Sequence, residues 1–149
     1  MSDALLACAH SLSFASVAAC LGLQWRLCRP SASVAEVGAL SRVDLAYVGA
    51  AAVLLLSGLG RLFVSPKGVD FYTANPFFHA KLGLYFVIAL ISIPASLRFI
   101  RWSRRLKSNA TDLPPGGELL RTRRLVSVEV CLLALLPLLA AFMARGIGT

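Results

Sequence analysis

Asn75-Pro76-Phe77-Phe78-His79-Ala80-Lys81 opens a run that continues, almost wholly apolar, through Leu82 and Tyr85 to Ile100. Local rules make its start a helix N-terminus. Asn75 caps through its side-chain oxygen, and Pro76 suits the first helical position, where a missing N–H is no loss. Phe77 and Phe78 supply bulky interfacial anchors. The apolar residues that follow number about twenty, enough to cross a hydrocarbon core of ~30 Å at ~1.5 Å per residue. Lys81 is costly in that setting. It enters low-dielectric surroundings near the positive end of a helix dipole, and so predicts an anionic partner.

Three other segments have the same character, giving four in all: Ala4–Trp25, Asp44–Val64, Phe77–Ile100 and Leu125–Ala144. With their flanking caps, the spacing predicts helices over about 4–25, 42–64, 76–100 and 125–144. The expected fold is all-α: one domain over residues 1–149, a four-transmembrane-helix bundle. A hydrophobic fraction of 58% and a mean hydropathy of +0.76 exclude an ordinary soluble domain.

The net charge of +8 does not point to nucleic acid, because of where the charges lie. Arg26, Arg29 and Arg42 fall between the first two segments. Arg98, Arg101, Arg104, Arg105, Lys107, Arg121, Arg123 and Arg124 fall between the last two. Only Arg61, Lys67, Lys81 and Arg145 lie on the other side. Eleven against four places the first and third connections in the cytoplasm and both termini outside. The basic excess then reads as topology and contact with lipid headgroups. Cys8, Cys20, Cys28 and Cys131 show no paired metal or redox spacing and read as apolar filler. The start carries Asp3 and no Lys or Arg, so the first segment is read as a retained helix.

Polar residues on the segments set out the candidate site. Asp3, His10, Ser13, Val17 and Gln24 share an arc of about 80° on the first helix, a stripe that should face the bundle. Three roles stay open for His10: a hydrogen bond to a neighbouring helix, a cofactor ligand, or a proton relay. The second segment is rich in small residues, among them Gly49, Gly58 and Gly60, which let helices or a flat cofactor approach closely. Arg61 at its end either snorkels to headgroups or clamps an anion at the depth of His10 and Lys81. Residues Ser65–Ala74 read as a turn with an aromatic belt, matched by Trp25 and Trp102 at the other end.

His79 and Lys81 project about 200° apart, so only one can face the bundle centre. Lys81 shares its side with Tyr85, Ser92 and Ser96, which points it inward and His79 toward lipid or a neighbouring subunit. Ser41-Arg42-Val43-Asp44 has the form of a capping box, with Asp44 in the first turn and Arg42 free to pair with an acid elsewhere. Residues Arg26–Ser41 and Arg101–Arg124 read as loops, the latter around Pro114-Pro115-Gly116-Gly117. Glu129 enters the membrane one turn into the last helix, where Arg42, Arg98 or Arg124 would pair with it, proton handling being the alternative. Nothing has the form of a soluble enzyme's triad, a phosphate loop or a metal pair.

With these residues in hand, the chain resembles a bacterial four-helix membrane family known as domain of unknown function 2214. The matching stretches are Arg42-Val43-Asp44-Leu45-Ala46-Tyr47, Gly58-Leu59-Gly60-Arg61, Lys67-Gly68, Phe71-Tyr72, Asn75-Pro76-Phe77-Phe78, Ala80-Lys81, Arg98-Phe99-Ile100-Arg101-Trp102, Glu129 and Ala144-Arg145-Gly146. The chain departs from that pattern at Gln24, where relatives often carry an acid, and at His79, where an aromatic can stand. More distantly it is similar to the four-helix protoporphyrinogen oxidase of bacteria and to the copper-resistance D membrane proteins. His10, the run His79-Ala80-Lys81-Leu82 and Glu129 carry the oxidase likeness. That likeness implies a haem b or other tetrapyrrole site. His10, Arg61, His79 and Lys81 all fall at one depth under the topology above, where His10 would be the iron ligand, Lys81 and Arg61 would hold propionates, and His79 is a candidate second ligand.

Two functions follow as expectations. One is a tetrapyrrole-binding membrane protein in a redox role; if it is an enzyme, it is an oxidoreductase acting on or with that group. The other is a non-catalytic accessory or transport-related component whose polar residues hold helices together. Copper transport is the weaker third reading, since Met143 and the cysteines do not converge at the depth of the histidines. Beyond the bilayer itself, a homo-oligomer and a redox partner are left open.

Overall fold

The computed structural model describes residues 2–64 and 68–145. Ser65, Pro66, Lys67 and Gly146, which entered the reading of the sequence, lie outside the described residues. The described residues form five helices and no strand: α1 (Ser2–Leu27), α2 (Val34–Val64), α3 (Gly68–Ala74), α4 (Pro76–Ser108) and α5 (Gly116–Ala144). Four of them are long and apolar enough to cross a membrane, with windows of mean hydropathy from 1.8 to 2.4. The four-helix membrane architecture is therefore as expected.

Helix boundaries differ from the sequence expectation at the arginine-rich end. The second helix starts at Val34, well before Asp44, and the reason is a different capping box. The Glu36 N–H donates to Ser33 Oγ at 3.3 Å, and the Ser33 N–H donates to Glu36 Oε2 at 2.8 Å. Two orphan donors are thus satisfied reciprocally, and Arg29 adds an ion pair to Glu36 at 2.6 Å. Ser41-Arg42-Val43-Asp44 lies inside the helix and caps nothing. Likewise α4 runs on to Ser108 and α5 begins at Gly116, so the expected loop over 101–124 shrinks to residues 109–115. At the other end the expected turn contains α3, entered through Gly68 at φ +77°, a left-handed conformation that glycine adopts without a Cβ clash. Asn75 caps α4 as read: its side chain accepts from the Phe77 N–H at 2.9 Å, with Pro76 opening the helix.

The long helices form an antiparallel ring in which α1 packs on α2 and α5, and α4 packs on α5 and α2. Among the described residues, no α1–α4 or α2–α5 pair of Cα atoms comes within 8 Å, so the bundle has open diagonals. Asp3 meets Arg61 and Phe77 meets Phe142, which puts the start of α1, the end of α2, the start of α4 and the end of α5 at one end. Trp25 meets Arg123 and Ser127, and Arg98 meets Thr122, at the arginine-rich end.

The core holds Leu21, Leu40, Phe99, Trp102 and Val126, each 0% exposed. Trp102 was expected at the interface and is instead packed edge-on against Phe99, 5.7 Å between ring centroids. Outside, Leu5, Leu45, Leu56, Phe63, Leu90 and Leu138 are all more than half exposed. Such a belt is a liability in water and an ordinary surface against hydrocarbon.

Candidate functional site

At the end that holds the start of α1 and the end of α5, the four long helices leave a cavity of about 300 Å³. His10 and Phe14 line it from α1, Leu54 and Gly58 from α2, Lys81 and Tyr85 from α4, and Leu136 and Pro137 from α5. Sequence periodicity explains the convergence. The α1 stripe does face inward: Ser13, Val17 and Gln24 are buried and His10 is half-buried. On α4, Lys81 and Tyr85 stand one turn apart on the same side, as read.

His10 is held in one orientation. Its Nδ1 lies 3.0 Å from the Leu54 carbonyl oxygen and 3.2 Å from Ser57 Oγ. Ser57 donates its own hydroxyl hydrogen to the Val53 carbonyl at 2.6 Å, so the Leu54 carbonyl is the natural acceptor for a protonated Nδ1. That tautomer leaves Nε2 with its lone pair and with no hydrogen-bond partner among the described residues. Gly58 makes the approach feasible. A Cβ there would come 3.0 Å from His10 Cε1 and 3.3 Å from Nδ1, so the small residue gives the imidazole its seat.

Lys81 lines the same cavity, half-buried, and no carboxylate among the described residues lies within salt-bridge distance of it. The anionic partner that its position calls for is therefore not supplied by the described chain. Lys81 and Arg61 are both near enough for their charges to act on His10. Arg61, however, is paired with Asp3 at 3.6 Å and does not line the cavity. His79 is exposed, lies 2.8 Å from the Thr73 carbonyl through Nε2, and stacks edge-on against Phe78. It joins α3 to α4 outside the cavity. Of the four residues assigned to a cofactor, His10 and Lys81 come together, Arg61 stands behind them, and His79 faces away.

A second polar group lies deeper. Asp44 is 5% exposed, and its Oδ1 accepts from Gln24 Nε2 at 3.1 Å and from Ser96 Oγ at 2.8 Å. It joins α1, α2 and α4 across the bundle, in place of the capping role expected of it. Arg42 beside it points outward and is exposed. Glu129 is 1% exposed and has no arginine partner among the described residues; Tyr47 donates to its Oε2 at 3.4 Å, across the α2–α5 diagonal. The expected pairing with Arg42, Arg98 or Arg124 is thus overturned, and Arg98 instead donates to Thr122 Oγ1 at 3.0 Å. A charge at mid-membrane costs about 2.5–3.5 kcal/mol. An interhelical hydrogen bond in a bilayer returns about 0.6 kcal/mol, so one long bond from Tyr47 does not offset an ionised Glu129.

Sequence reading missed Tyr47 as the partner of Glu129, and Gln24 and Ser96 as partners of Asp44. The signal for the first was present: Tyr47 lies three residues after Asp44, one turn on, so the two share a helix face. It also missed Gly58 as the seat of His10, because a glycine's neighbour on another helix leaves no trace in its own segment. Among the described residues, no group of three or more His, Cys, Asp or Glu side chains converges to hold a metal ion.

Against known proteins, residues 2–148 match the family model described as a predicted membrane protein, DUF2214. No curated protein and no solved structure matches the chain.

Proposed function

The chain belongs to this family of predicted membrane proteins, DUF2214, and from the geometry of its cavity we propose that it binds an amphiphile bearing an anionic group, with haem b or another tetrapyrrole as the specific candidate. One observation carries the reading. His10, fixed through Nδ1 by the Leu54 carbonyl, presents an Nε2 that has no partner among the described residues, beside Lys81, which has no anionic partner among them, in an apolar chamber. The arginine distribution supports an outward-facing chamber, which is the periplasmic side in the bacterial inner membrane that the family resemblance implies.

The residues fit the group at both its ends. Neutral imidazole nitrogen is a standard axial ligand, oriented by a backbone carbonyl on its other nitrogen. Lys81 would hold a propionate, with Arg61 adding positive potential from behind. Phe14, Leu54, Phe78 and Leu136 supply apolar walls. A volume of about 300 Å³ is at the small end for ligand sites, so a macrocycle would be enclosed only in part. Bound haem would supply one-electron chemistry at iron; the protein's own share is to fix the ligand nitrogen, neutralise carboxylate and keep water out. His79 has no part in this version, because it lies outside the chamber.

Protein purified in detergent from haem-replete cells is expected to be coloured. A colourless preparation that takes up no haemin overturns the tetrapyrrole reading. A second reading, a non-catalytic membrane component, draws on the deeper polar groups, since Gln24–Asp44–Ser96 and Tyr47–Glu129 tie all four long helices together. On that reading His10→Ala and Lys81→Ala weaken folding or assembly without altering any cofactor signal.

A further inference from the structure

The two carboxyl groups in the core have unequal surroundings. Asp44 Oδ1 accepts two hydrogen bonds, from Gln24 and Ser96, and such bonds support a carboxylate. Glu129 has one long bond, from Tyr47 to Oε2, and its Oε1 is buried with no partner. A neutral carboxyl tolerates one unpartnered oxygen far better than a carboxylate does. Among the described residues, no cation compensates. From α2 the groups facing Glu129 are Tyr47 and Asp44, and the latter is itself acidic. From α4, Tyr85 acts on Tyr47, Ser92 and Ser96 are uncharged, and the Arg98 guanidinium is engaged by Thr122. From α1, Gln24 is neutral and Cys20 lies beside Asp44. On α5 itself, Arg123 is stacked on Trp25.

A second observation links this spot to the cavity above. A space of about 20 Å³ lies between them, lined by Val17, Tyr47, Ala51, Tyr85 and Ile88 among others, and it shares Leu54, Tyr85 and Leu136 with the larger cavity. That is about the volume of one water, and it is lined by Tyr47 and Tyr85, whose hydroxyls donate to Glu129 and to the Ala51 carbonyl.

We infer that Glu129 is a proton-binding site in the core of the bundle, joined to the cavity of His10 and Lys81 through the water-sized space beside Tyr47. The only bond made or broken is the O–H bond of the carboxyl group, and the proton is exchanged with water. The site stands independently of what occupies the cavity.

Infrared spectroscopy of the protein in lipid nanodiscs tests it. Wild type at neutral pH is expected to show a protonated-carboxyl stretch that shifts in deuterated water and is lost in Glu129→Gln. Tyr47→Phe, which removes the single donor to Glu129 and leaves the carboxyl in place, is expected to move that band to higher frequency; this variant keeps the test alive if Glu129→Gln fails to fold. The inference is overturned if wild type lacks the band, or if the band persists in Glu129→Gln and vanishes in Asp44→Asn. A band unmoved by Tyr47→Phe also counts against it.

Discussion

Gly58 of α2 lies directly against the His10 ring of α1, so closely that a Cβ at that position would come 3.0 Å from Cε1. The contact couples the packing of two helices to the placement of one imidazole. Gly49, nine residues earlier on the same helix, has nothing within 4 Å of the corresponding point. Glycine to alanine in a helix interior gains up to ~1 kcal/mol in propensity, whereas forcing a methyl into a packed contact costs ~1–3 kcal/mol. Gly49→Ala should therefore be neutral or stabilising and Gly58→Ala destabilising. Thermal unfolding in detergent checks this, and equal shifts for the two variants would contradict the seating of His10.

The capping box at the start of α2 gives a second expectation. Ser33→Ala removes the acceptor of the Glu36 N–H, at a cost of about 1 kcal/mol. Ser41→Ala, at the box that the sequence first suggested, touches no helix end and should cost less. Chemical denaturation of the two variants should separate them, and an equal loss would mean that α2 does not begin at Val34.

Cys28, just past the end of α1, is fully buried, and burial pushes its thiol up to about 12 from 9.0, against the pull of Arg123. A proton retained in the folded state and lost in the unfolded one makes stability fall with rising pH. Below the unfolded value, near 9, both states hold the proton and the residue adds no pH dependence. Above it, stability drops by up to about 1.4 kcal/mol per pH unit until the folded thiol titrates too. Cys28→Ala should flatten this alkaline loss in unfolding curves, and parallel profiles for variant and wild type would argue against it.

How far the sequence carried can be read from particular residues. The inward stripe of α1, the opposed faces of His79 and Lys81, and the Asn75 cap follow from helical periodicity and local capping, which act within one segment. The true box at Ser33 and Glu36 was equally local. A polar run beside Pro30 reads as a loop, which hides it, although the helix extends beyond the apolar core. The partners of Glu129 and Asp44 could not be read locally. Arginines are the usual partners of membrane acids, but here Arg42 and Arg124 do not pair with one, Arg42 pointing outward, and Arg98 is engaged by Thr122 Oγ1. Tyr47, Gln24 and Ser96 meet the acids only after three different helix pairs have packed.

Lys81 carries its own test within the tetrapyrrole reading. If its ammonium holds a propionate, Lys81→Gln should weaken haemin binding about tenfold, equivalent to ~1.4 kcal/mol, and leave binding of the dimethyl ester of haemin unchanged. Absorbance titrations of both ligands decide it. Equal losses for acid and ester would mean that the lysine acts through the fold and not on a carboxylate.

The most direct measurement is a haemin titration of the folded, detergent-purified protein, followed at the main porphyrin absorption band, for wild type, His10→Ala and His79→Ala. The account predicts a saturable band in wild type and in His79→Ala, and its loss in His10→Ala with helical content unchanged. Uptake by His10→Ala as tight as by wild type, or loss of the band only in His79→Ala, would contradict it.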